Sequence, residues 1–389
     1  MNILMLATRF PFPSFNGDSI VCLNRLKSLS TRHRITLVCT PDCLPSDADR
    51  AVVEQYCRLV LVPRSSVSAL FRAGIALLFG KDPLQVALYA SQKLRRTVER
   101  IVEAEKIHLV HLVLYRQWSA VRCLSLPVLI DANDSQQLAV RHRIDRARGP
   151  KRWLLEAEGR RVQAFETSLS ADRCRVIVLS EADQAQFPEG LASVVHMGME
   201  VDAAPPPKAA RPTLAFSGHL GYYPNVEAVE WLHRTCWPAI LDQVPDAEFR
   251  IIGRDPPASI RALDGLQNVV VTGFVPSVRD ELARAWVALA PMSVAWGMHT
   301  KILEAMSVGT AVIASEEAAR TFQGDINGMM TAQNAGDFIR NAVTLLRDPD
   351  EVERLGDAAK AYVTAHHSWD SAAAAIEANY QALVKGVAQ

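Results

Sequence analysis

Short apolar runs alternate with helical patterns along this chain, and this alternation restricts the fold more than any other feature. Such an order is typical of βαβ units, which assemble into parallel sheets covered by helices. The predicted strands of the first half are residues 2–7, 35–39, 59–61, 109–114, 128–131 and 176–179. Those of the second half are residues 214–217, 248–252, 269–272, 287–290 and 311–314. The sequence therefore predicts an α/β fold, with a chain that is helical from Ala335 onward.

A proline-rich stretch separates the two sets of strands. Residues 203–212 read Ala-Ala-Pro-Pro-Pro-Lys-Ala-Ala-Arg-Pro, a composition typical of a semi-rigid linker. A chain of 389 residues also exceeds what one hydrophobic core usually serves. We expect two doubly wound, Rossmann-like domains, residues 1–202 and 213–370, facing each other across a cleft, and a last helix over residues 371–389. Ligands of such sheets bind at the carboxyl ends of the strands.

The charge balance argues against nucleic acid as a partner. Lys and Arg together number 42, as do Asp and Glu, so no overall positive field is present. The charges are unevenly divided, because residues 1–202 hold 27 basic and 21 acidic side chains and the remainder holds 15 and 21. The positive first half indicates an anionic partner there, with drift of surface composition as the alternative.

Cysteine usage and hydropathy bear on the compartment. Seven scattered cysteines form no CxxC pair or Cys/His ligand spacing, which indicates neither a metal site nor a disulfide framework and fits a reducing cytoplasm. The first residues lack the features of a signal peptide. Residues 67–79 are apolar, but Arg72 interrupts them and they fall short of the roughly 20 residues of a spanning helix. We expect a cytoplasmic protein, with a peripheral position on the inner face of the cytoplasmic membrane as an alternative.

Two polar features of the first half leave alternatives open. Eight basic residues lie between Arg141 and Arg161. A solvated helix face is their usual explanation, and an anionic membrane surface or a lipid-pyrophosphate acceptor is the alternative. Asp131 and Asp134 end a predicted strand, where they serve either a ligand crevice or a turn and helix cap.

Residues 291–315 are the most informative stretch of the chain. A strand ends at Pro291, a loop with one glycine follows, and a helix with Thr300 as its N-cap leads to a further strand. Lys301 in the first helical turn is unfavourable for the helix dipole unless an anion offsets it, and Glu304 follows on the same face. The two side chains form either an exposed ion pair or a site in which Lys301 binds a diphosphate and Glu304 a ribose diol.

Residues 301–315 also resemble the donor-site signature of the family 4 glycosyltransferases, which have the GT-B fold. The resemblance continues in residues 9–18, 214–229, 250–253 and 271–275, and so spans most of the chain. Residues 83–89 and 297–306 are most similar to bacterial exopolysaccharide-associated sugar transferases. Several motifs in one order are more specific than a single glycine-rich loop.

The resemblance implies roles for the matching positions. It places Glu304 on the ribose hydroxyls and Gly17 where backbone approaches the donor phosphate and sugar. It places His111 near the donor sugar, as a catalytic group. The backbone of Phe274 and Val275 would contact the base.

Two departures from the family pattern concern the phosphate site. Trp296 occupies the position of a second family glutamate, and His219 and Pro224 occupy those of an Arg and a Lys. A leaving diphosphate needs cations or N–H dipoles. We therefore expect Lys301 to supply the missing charge as a catalytic group, helped by His299 or His219, by the N–H groups of Gly218 and His219, and by the helix start at Thr300.

Membership would imply a metal-independent, retaining glycosyltransferase without a cofactor. Its donor would be a nucleotide-sugar, UDP- or GDP-linked, and its acceptor a glycan, a lipid-linked sugar or another hydroxyl. The last helix would cross back to the first domain. Two alternative hypotheses about the function remain. The chain could be a GT-B nucleotide-sugar epimerase, or a catalytically silent subunit that binds a nucleotide and activates a partner.

Overall fold

The computed structural model describes residues 1–13, 17–64, 74, 80–292, 300–322, 324 and 326–387. The chain divides into two compact units: unit 1 comprises Met1–Gly198 and Trp369–Gln389, and unit 2 comprises Met199–Ser368. His299, Trp296 and all of the apolar residues 67–79 except Gly74 lie outside the described residues.

Unit 1 is built on a parallel sheet of seven strands, in the order β3-β2-β1-β4-β5-β6-β7. The strands are β1 (Asn2–Ala7), β2 (Arg34–Cys39), β3 (Arg58–Leu61), β4 (Leu109–Val113), β5 (Val128–Asn133), β6 (Cys174–Val178) and β7 (Ala192–Val194). Every residue of β4 and β5 is buried. Continuous burial of this kind is what parallel strands require when helices cover both faces of the sheet.

Helices connect these strands. They span Gly17–Ser30, Asp47–Glu54, Leu84–Tyr89, Gln92–Glu105, Gln136–Arg146, Pro150–Thr167 and Glu181–Gln184, with a 3-10 helix at Tyr115–Ala120. Serine hydroxyls cap several of the helices: Ser91 accepts a hydrogen bond from the N–H of Leu94, and Ser135 accepts one from that of Gln137. Within the described residues, no helix combines the length and the apolar character that crossing a bilayer demands.

Unit 2 repeats the same plan with six parallel strands, in the order β10-β9-β8-β11-β12-β13. The strands are β8 (Thr213–Ser217), β9 (Glu248–Ile252), β10 (Val269–Gly273), β11 (Val287–Ala290), β12 (Ala311–Ser315) and β13 (Met329–Ala332). Its helices are Tyr223–Trp231, Trp237–Gln243, Ala258–Arg261, Val278–Arg284, Thr300–Ser307, Glu316–Ala319, Ala335–Arg347 and Pro349–His366, with a π-helical turn at Leu232–Cys236. The last helix of the chain, Trp369–Val387, packs into the core of unit 1 through Ile376 and Tyr380.

The two Rossmann-like α/β units agree with the predicted fold class. Each of the eleven predicted strands is present, with bounds within two residues of those expected. Sequence patterns missed β7 and β13, which are the last strands at one edge of each sheet. These strands have three and four residues and are only partly buried, so they lack the continuous apolar run that marks a central strand.

The proline-rich segment is attached to unit 2 and does not form a free linker. Lys208 Nζ donates to the carbonyl of Ala285 at 2.8 Å and to Thr310 Oγ1 at 2.9 Å. The indole N–H of Trp286 donates to the carbonyl of Ala209 at 2.8 Å. The chain therefore leaves unit 1 before this segment, after Gly198, because these hydrogen bonds hold the segment against unit 2.

Candidate functional site

Three glycines stand at the carboxyl end of the unit 2 sheet, Gly218 after β8, Gly253 after β9 and Gly273 at the end of β10. The Gly253 N–H donates to the carbonyl of Gly273 at 3.3 Å. A Cβ atom at Gly253 would overlap the carbonyl oxygen of Gly218, so the two loops approach this closely only because residue 253 has no side chain. Backbone without side chains at strand ends is the arrangement that lets phosphate groups approach in dinucleotide sites.

The Gly218–His219 loop carries the two backbone N–H groups that are expected to contact phosphate. The N–H of Gly218 already donates to the carbonyl of Ile252 at 3.0 Å, and the expected contact of this group with phosphate stays a prediction. The N–H of His219 has no acceptor among the residues that the structure describes. The exposed imidazole of His219 lies with Nε2 3.0 Å from Asp255 Oδ2. Among the described residues, His219 therefore offers an unpaired backbone donor at the carboxyl end of the sheet, beside an imidazole held by Asp255.

Lys301 lies in the first turn of the helix Thr300–Ser307. Its Nζ donates to Asn225 Oδ1 at 2.8 Å and is 3.7 Å from the Sδ atom of Met292. The same nitrogen is 4.3 Å from the ring centroid of Phe216. Burial lowers the pKa of Lys301 to about 7, and the charge of Glu304 offsets only part of this effect. Lys301 is thus an enclosed cation whose charge changes near neutral pH.

Glu304 follows one turn later and is half-buried. Burial raises its pKa above the ordinary value, and the charges of Arg279 and Lys301 counteract part of the shift. Within the described residues, the Glu304 carboxylate makes no hydrogen bond. The guanidinium of Arg279 donates to the carbonyl of Glu200 at 2.8 Å. A carboxylate with open acceptor positions between two cations is suited to accept hydrogen bonds from hydroxyl groups.

The other expected donor-site residues are distributed over both units. Phe274 directly follows β10 and is 70% exposed, and Val275 is half-buried. Thr300 is the first residue of the Lys301 helix. Gly17 is the first residue of the helix Gly17–Ser30 in unit 1. Lys301, Glu304, His219 and Phe274 therefore share unit 2, whereas Gly17 belongs to unit 1.

His111 occupies the middle of β4 and is fully buried. Its Nδ1 is 2.5 Å from the hydroxyl of Tyr380, and its Nε2 is 3.4 Å from Asp131 Oδ2. Asp131 also pairs with the buried guanidinium of Arg25. Both ring nitrogens of His111 are therefore engaged inside unit 1. This geometry indicates a structural role, and a catalytic contact of His111 with the sugar stays a prediction that nothing in unit 1 supports.

The two aspartates at the end of β5 have different environments. Burial alone would raise the pKa of Asp131, but the Arg25 guanidinium and the His111 hydrogen bond outweigh it, so this pKa lies below its ordinary value. Burial, and then the charge of Asp183, raise the pKa of Asp134 to about 7. Asp131 thus belongs to a buried ion network, which corrects its expected place in a ligand crevice or turn. In the described part of the chain, no three His, Cys, Asp or Glu side chains lie close enough to hold a metal ion.

Sequence patterns missed two neighbours of the Lys301–Glu304 pair. Asn225 lies 76 residues before Lys301, and Arg279 lies 25 residues before Glu304. Each of the two residues lies in the first turn of a helix that follows the carboxyl end of another strand. The position of a polar residue shortly after a strand end was the only available signal, and it does not say which strands are neighbours.

The sequence similarity to a known protein family lies within unit 2. Residues 211–348, which contain the glycine loops, Lys301 and Glu304, match the family model described as "Glycosyl transferases group 1". A comparison with curated protein sequences found no significant match.

Solved structures resemble the chain over almost its whole length. Sucrose-phosphate synthase from Thermosynechococcus elongatus has a TM-score of 0.68 at 16% identity, covering 99% of each chain. HepE from Anabaena, solved in complex with UDP-glucose, has a TM-score of 0.66 at 14% identity, covering 98% of this chain and 100% of that one. WaaG, a glycosyltransferase involved in lipopolysaccharide biosynthesis, has a TM-score of 0.65 at 13% identity, covering 97% and 99%. At such identities the likeness shows the fold, which is the two-domain GT-B fold.

Proposed function

We propose that this chain, which has the fold of the group 1 glycosyltransferases, is a retaining glycosyltransferase that uses a nucleotide-sugar donor. The observation that carries the proposal is the pair Lys301 and Glu304 beside the glycine loops of unit 2, within the segment that matches the family model. The structural similarity to HepE, which was solved with UDP-glucose, supports this choice of donor. UDP- and GDP-sugars are the donors that we would test first.

The chemistry assigns a role to each side chain. The Glu304 carboxylate accepts hydrogen bonds from the ribose hydroxyls. The Lys301 ammonium faces the diphosphate, whose negative charge raises the pKa of Lys301 from about 7 and keeps it protonated when the donor is bound. The backbone N–H of His219 and the guanidinium of Arg279 supply further positive charge for the leaving group. These groups act without a metal ion or cofactor in the proposed reaction.

The transfer step is a front-face displacement. The bond between the sugar C1 and the diphosphate oxygen breaks, and the acceptor oxygen bonds to C1 on the same face. The acceptor proton passes to the leaving phosphate oxygen, and the protein groups stabilise the charge that develops on the diphosphate. Retention of configuration follows from attack on the face that the diphosphate leaves.

We place the acceptor among glycans and lipid-linked sugars of polysaccharide synthesis. The support is a surface of unit 1 in the helix Pro150–Thr167. Trp153 is 66% exposed and Leu154 is 43% exposed, next to the exposed Lys151 and Arg152. Exposed apolar side chains among basic ones are typical of attachment to an anionic bilayer.

Donor hydrolysis tests the proposed function. The protein is incubated with UDP-, GDP- and ADP-sugars in the presence of EDTA, and release of nucleotide and sugar is followed. We expect one nucleotide class to be hydrolysed slowly, with the sugar first released in the anomeric configuration of its donor. Lys301→Ala should lower this rate at least ~100-fold, as when one oxyanion donor is removed. Lys301→Arg should recover part of the rate. Release of an isomerised sugar would identify an epimerase, and binding without turnover by any donor would identify a silent subunit.

A further inference from the structure

Asn225 connects the Lys301 ammonium to the His219 loop, which departs from the family pattern. It lies in the first turn of the helix Tyr223–Trp231 and is 6% exposed. Its Oδ1 accepts the hydrogen bond from Lys301 Nζ at 2.8 Å, and its Nδ2 donates to the carbonyl of His219 at 2.9 Å. One buried amide therefore contacts both the cation and the loop that carries the free N–H of His219.

The chemistry of the partners determines the orientation of this amide. An ammonium group can only donate, and a carbonyl oxygen can only accept. Turning the Asn225 side chain by 180° would place its NH₂ against the ammonium of Lys301 and its oxygen against the carbonyl of His219. Both contacts would then be repulsive, so a single orientation remains.

The packing around Asn225 is equally restrictive. A Cβ atom at Gly218 would lie 2.8 Å from Asn225 Nδ2, so the amide packs directly against the glycine of the loop. The other neighbours of Lys301 Nζ are the Met292 sulfur at 3.7 Å and the Phe216 ring at 4.3 Å. Neither neighbour has a strong, directional acceptor. Among the described residues, Asn225 is the group that sets the direction of the Lys301 ammonium.

We propose that Asn225 is a positioning residue of the donor site, which aligns the Lys301 ammonium and the His219 backbone so that both meet the same diphosphate. The inference rests on the proposed function of this site. Asn225 replaces in part the Arg and Lys whose positions hold His219 and Pro224, because it directs a cation from another helix to the loop. Its contribution passes through Lys301 and His219, and it does not itself touch the substrate.

Substitutions can separate the two arms of the amide. Asn225→Ala removes both contacts, and we expect turnover of the best donor to fall about 10- to 100-fold, the range for a hydrogen bond to a charged group. Asn225→Asp keeps the contact with Lys301 but loses the donation to His219, so donor KM should rise more than kcat falls. Asn341 is the matched control, since it is 8% exposed in the same unit and donates to the carbonyl of Thr331 at 3.1 Å, away from Lys301. Asn341→Ala should reduce thermal stability but leave the kinetics of the folded protein near wild type.

A pH profile gives a readout that lost stability would not produce. Among the described residues, the charged groups that act on Lys301 are Glu304 on its own helix and, through Glu304, Arg279 on the helix Val278–Arg284. The new carboxylate in Asn225→Asp favours the protonated Lys301, so the alkaline limb of kcat/KM should move to higher pH by about one unit or more. Asn341→Asp should leave this limb in place.

The outcomes distinguish the inference from the proposed function. Active wild-type protein with Asn225 variants that match the Asn341 variants in kcat, KM and pH profile would overturn the positioning role alone. Wild-type protein that neither turns over a nucleotide-sugar nor binds UDP or GDP in calorimetry would overturn the proposed function, and the inference with it. If Asn225→Ala does not fold, the positioning role is tested with Asn225→Asp, which keeps the size of the side chain and its contact with Lys301.

Discussion

The ammonium nitrogen of Lys301 lies 4.3 Å from the centroid of the Phe216 ring. Phe216 is fully buried in β8, so the cation rests against the apolar interior at the end of the sheet. A cation over an aromatic face gains about 0.5–2 kcal/mol, which does not repay the loss of water around an ammonium group. Lys301 therefore costs stability in the empty protein, and its pKa of about 7 expresses this cost.

The first prediction concerns the stability of Lys301→Met. Between pH 7 and about 10.5 the unfolded chain holds a proton on Lys301 that the folded chain has released, so the free energy of unfolding of the wild type should rise with pH in this window. Below pH 7 the cost of the buried charge is fully present. Lys301→Met should be more stable than wild type at pH 6, and its advantage should shrink as the pH approaches 10. Urea unfolding at both pH values measures the difference, with the exposed Lys385→Met as control. A stability advantage of equal size at both pH values would contradict the lowered pKa of Lys301 in the folded protein.

The second prediction concerns Glu304 and the ribose. Glu304→Ala should weaken binding of the matching nucleoside diphosphate by about 1–3 kcal/mol, the range for losing a charged hydrogen-bond partner. The same substitution should have little effect on the 2′,3′-dideoxy nucleotide, which lacks the hydroxyl groups that the carboxylate binds. Calorimetry with both nucleotides measures this, and the exposed Glu353→Ala serves as control. Equal losses for the two nucleotides would place Glu304 elsewhere than on the ribose.

The third prediction concerns the contact between Gly253 and Gly218. In Gly253→Ala the new Cβ overlaps the carbonyl oxygen of Gly218 and must push the two loops apart, so nucleotide affinity should fall as well as stability. Gly328 lies directly before β13, and a Cβ atom there would overlap the backbone of Ala359. Gly328→Ala is therefore the matched control. It should lower the melting temperature of the protein while the folded fraction keeps its affinity for nucleotide. Normal affinity in Gly253→Ala would show that the close approach of the loops does not shape the site.

The fourth prediction concerns the basic surface of unit 1. The protein should pellet with anionic liposomes at low salt and release at roughly 0.5 M, since each base near an anionic leaflet contributes about 1 kcal/mol within a Debye length. Arg143, Arg148 and Arg152 are exposed members of the basic run between Arg141 and Arg161. Neutralising these three together should abolish pelleting without changing donor hydrolysis. Neutralising Lys93, Arg95 and Arg96 removes the same charge from the helix Gln92–Glu105 and should leave pelleting intact. If both triple variants lose pelleting equally, total charge and not this surface causes the binding.

The sequence determined the architecture because the features that encode it are local. A buried parallel strand is mostly apolar, and β4, β5, β8 and β12 are recognisable for that reason, although His111 interrupts β4 and Asp131 interrupts β5. The edge strands β7 and β13 escape this rule, since water reaches part of their surface. The pairing of Lys301 with Glu304 was also predictable from the sequence, because residues three apart in a helix lie on the same face whatever surrounds them.

Only the tertiary structure decided what those side chains meet. The contact of Lys301 with Asn225 spans 76 residues, and the network of His111 with Tyr380 spans 269. Such contacts depend on the order of the strands in the sheet and on the return of the last helix to unit 1, which no local pattern encodes. Burial depends on the same assembly. It placed His111, expected near the sugar, inside unit 1, and it lowered the pKa of Lys301 to about 7.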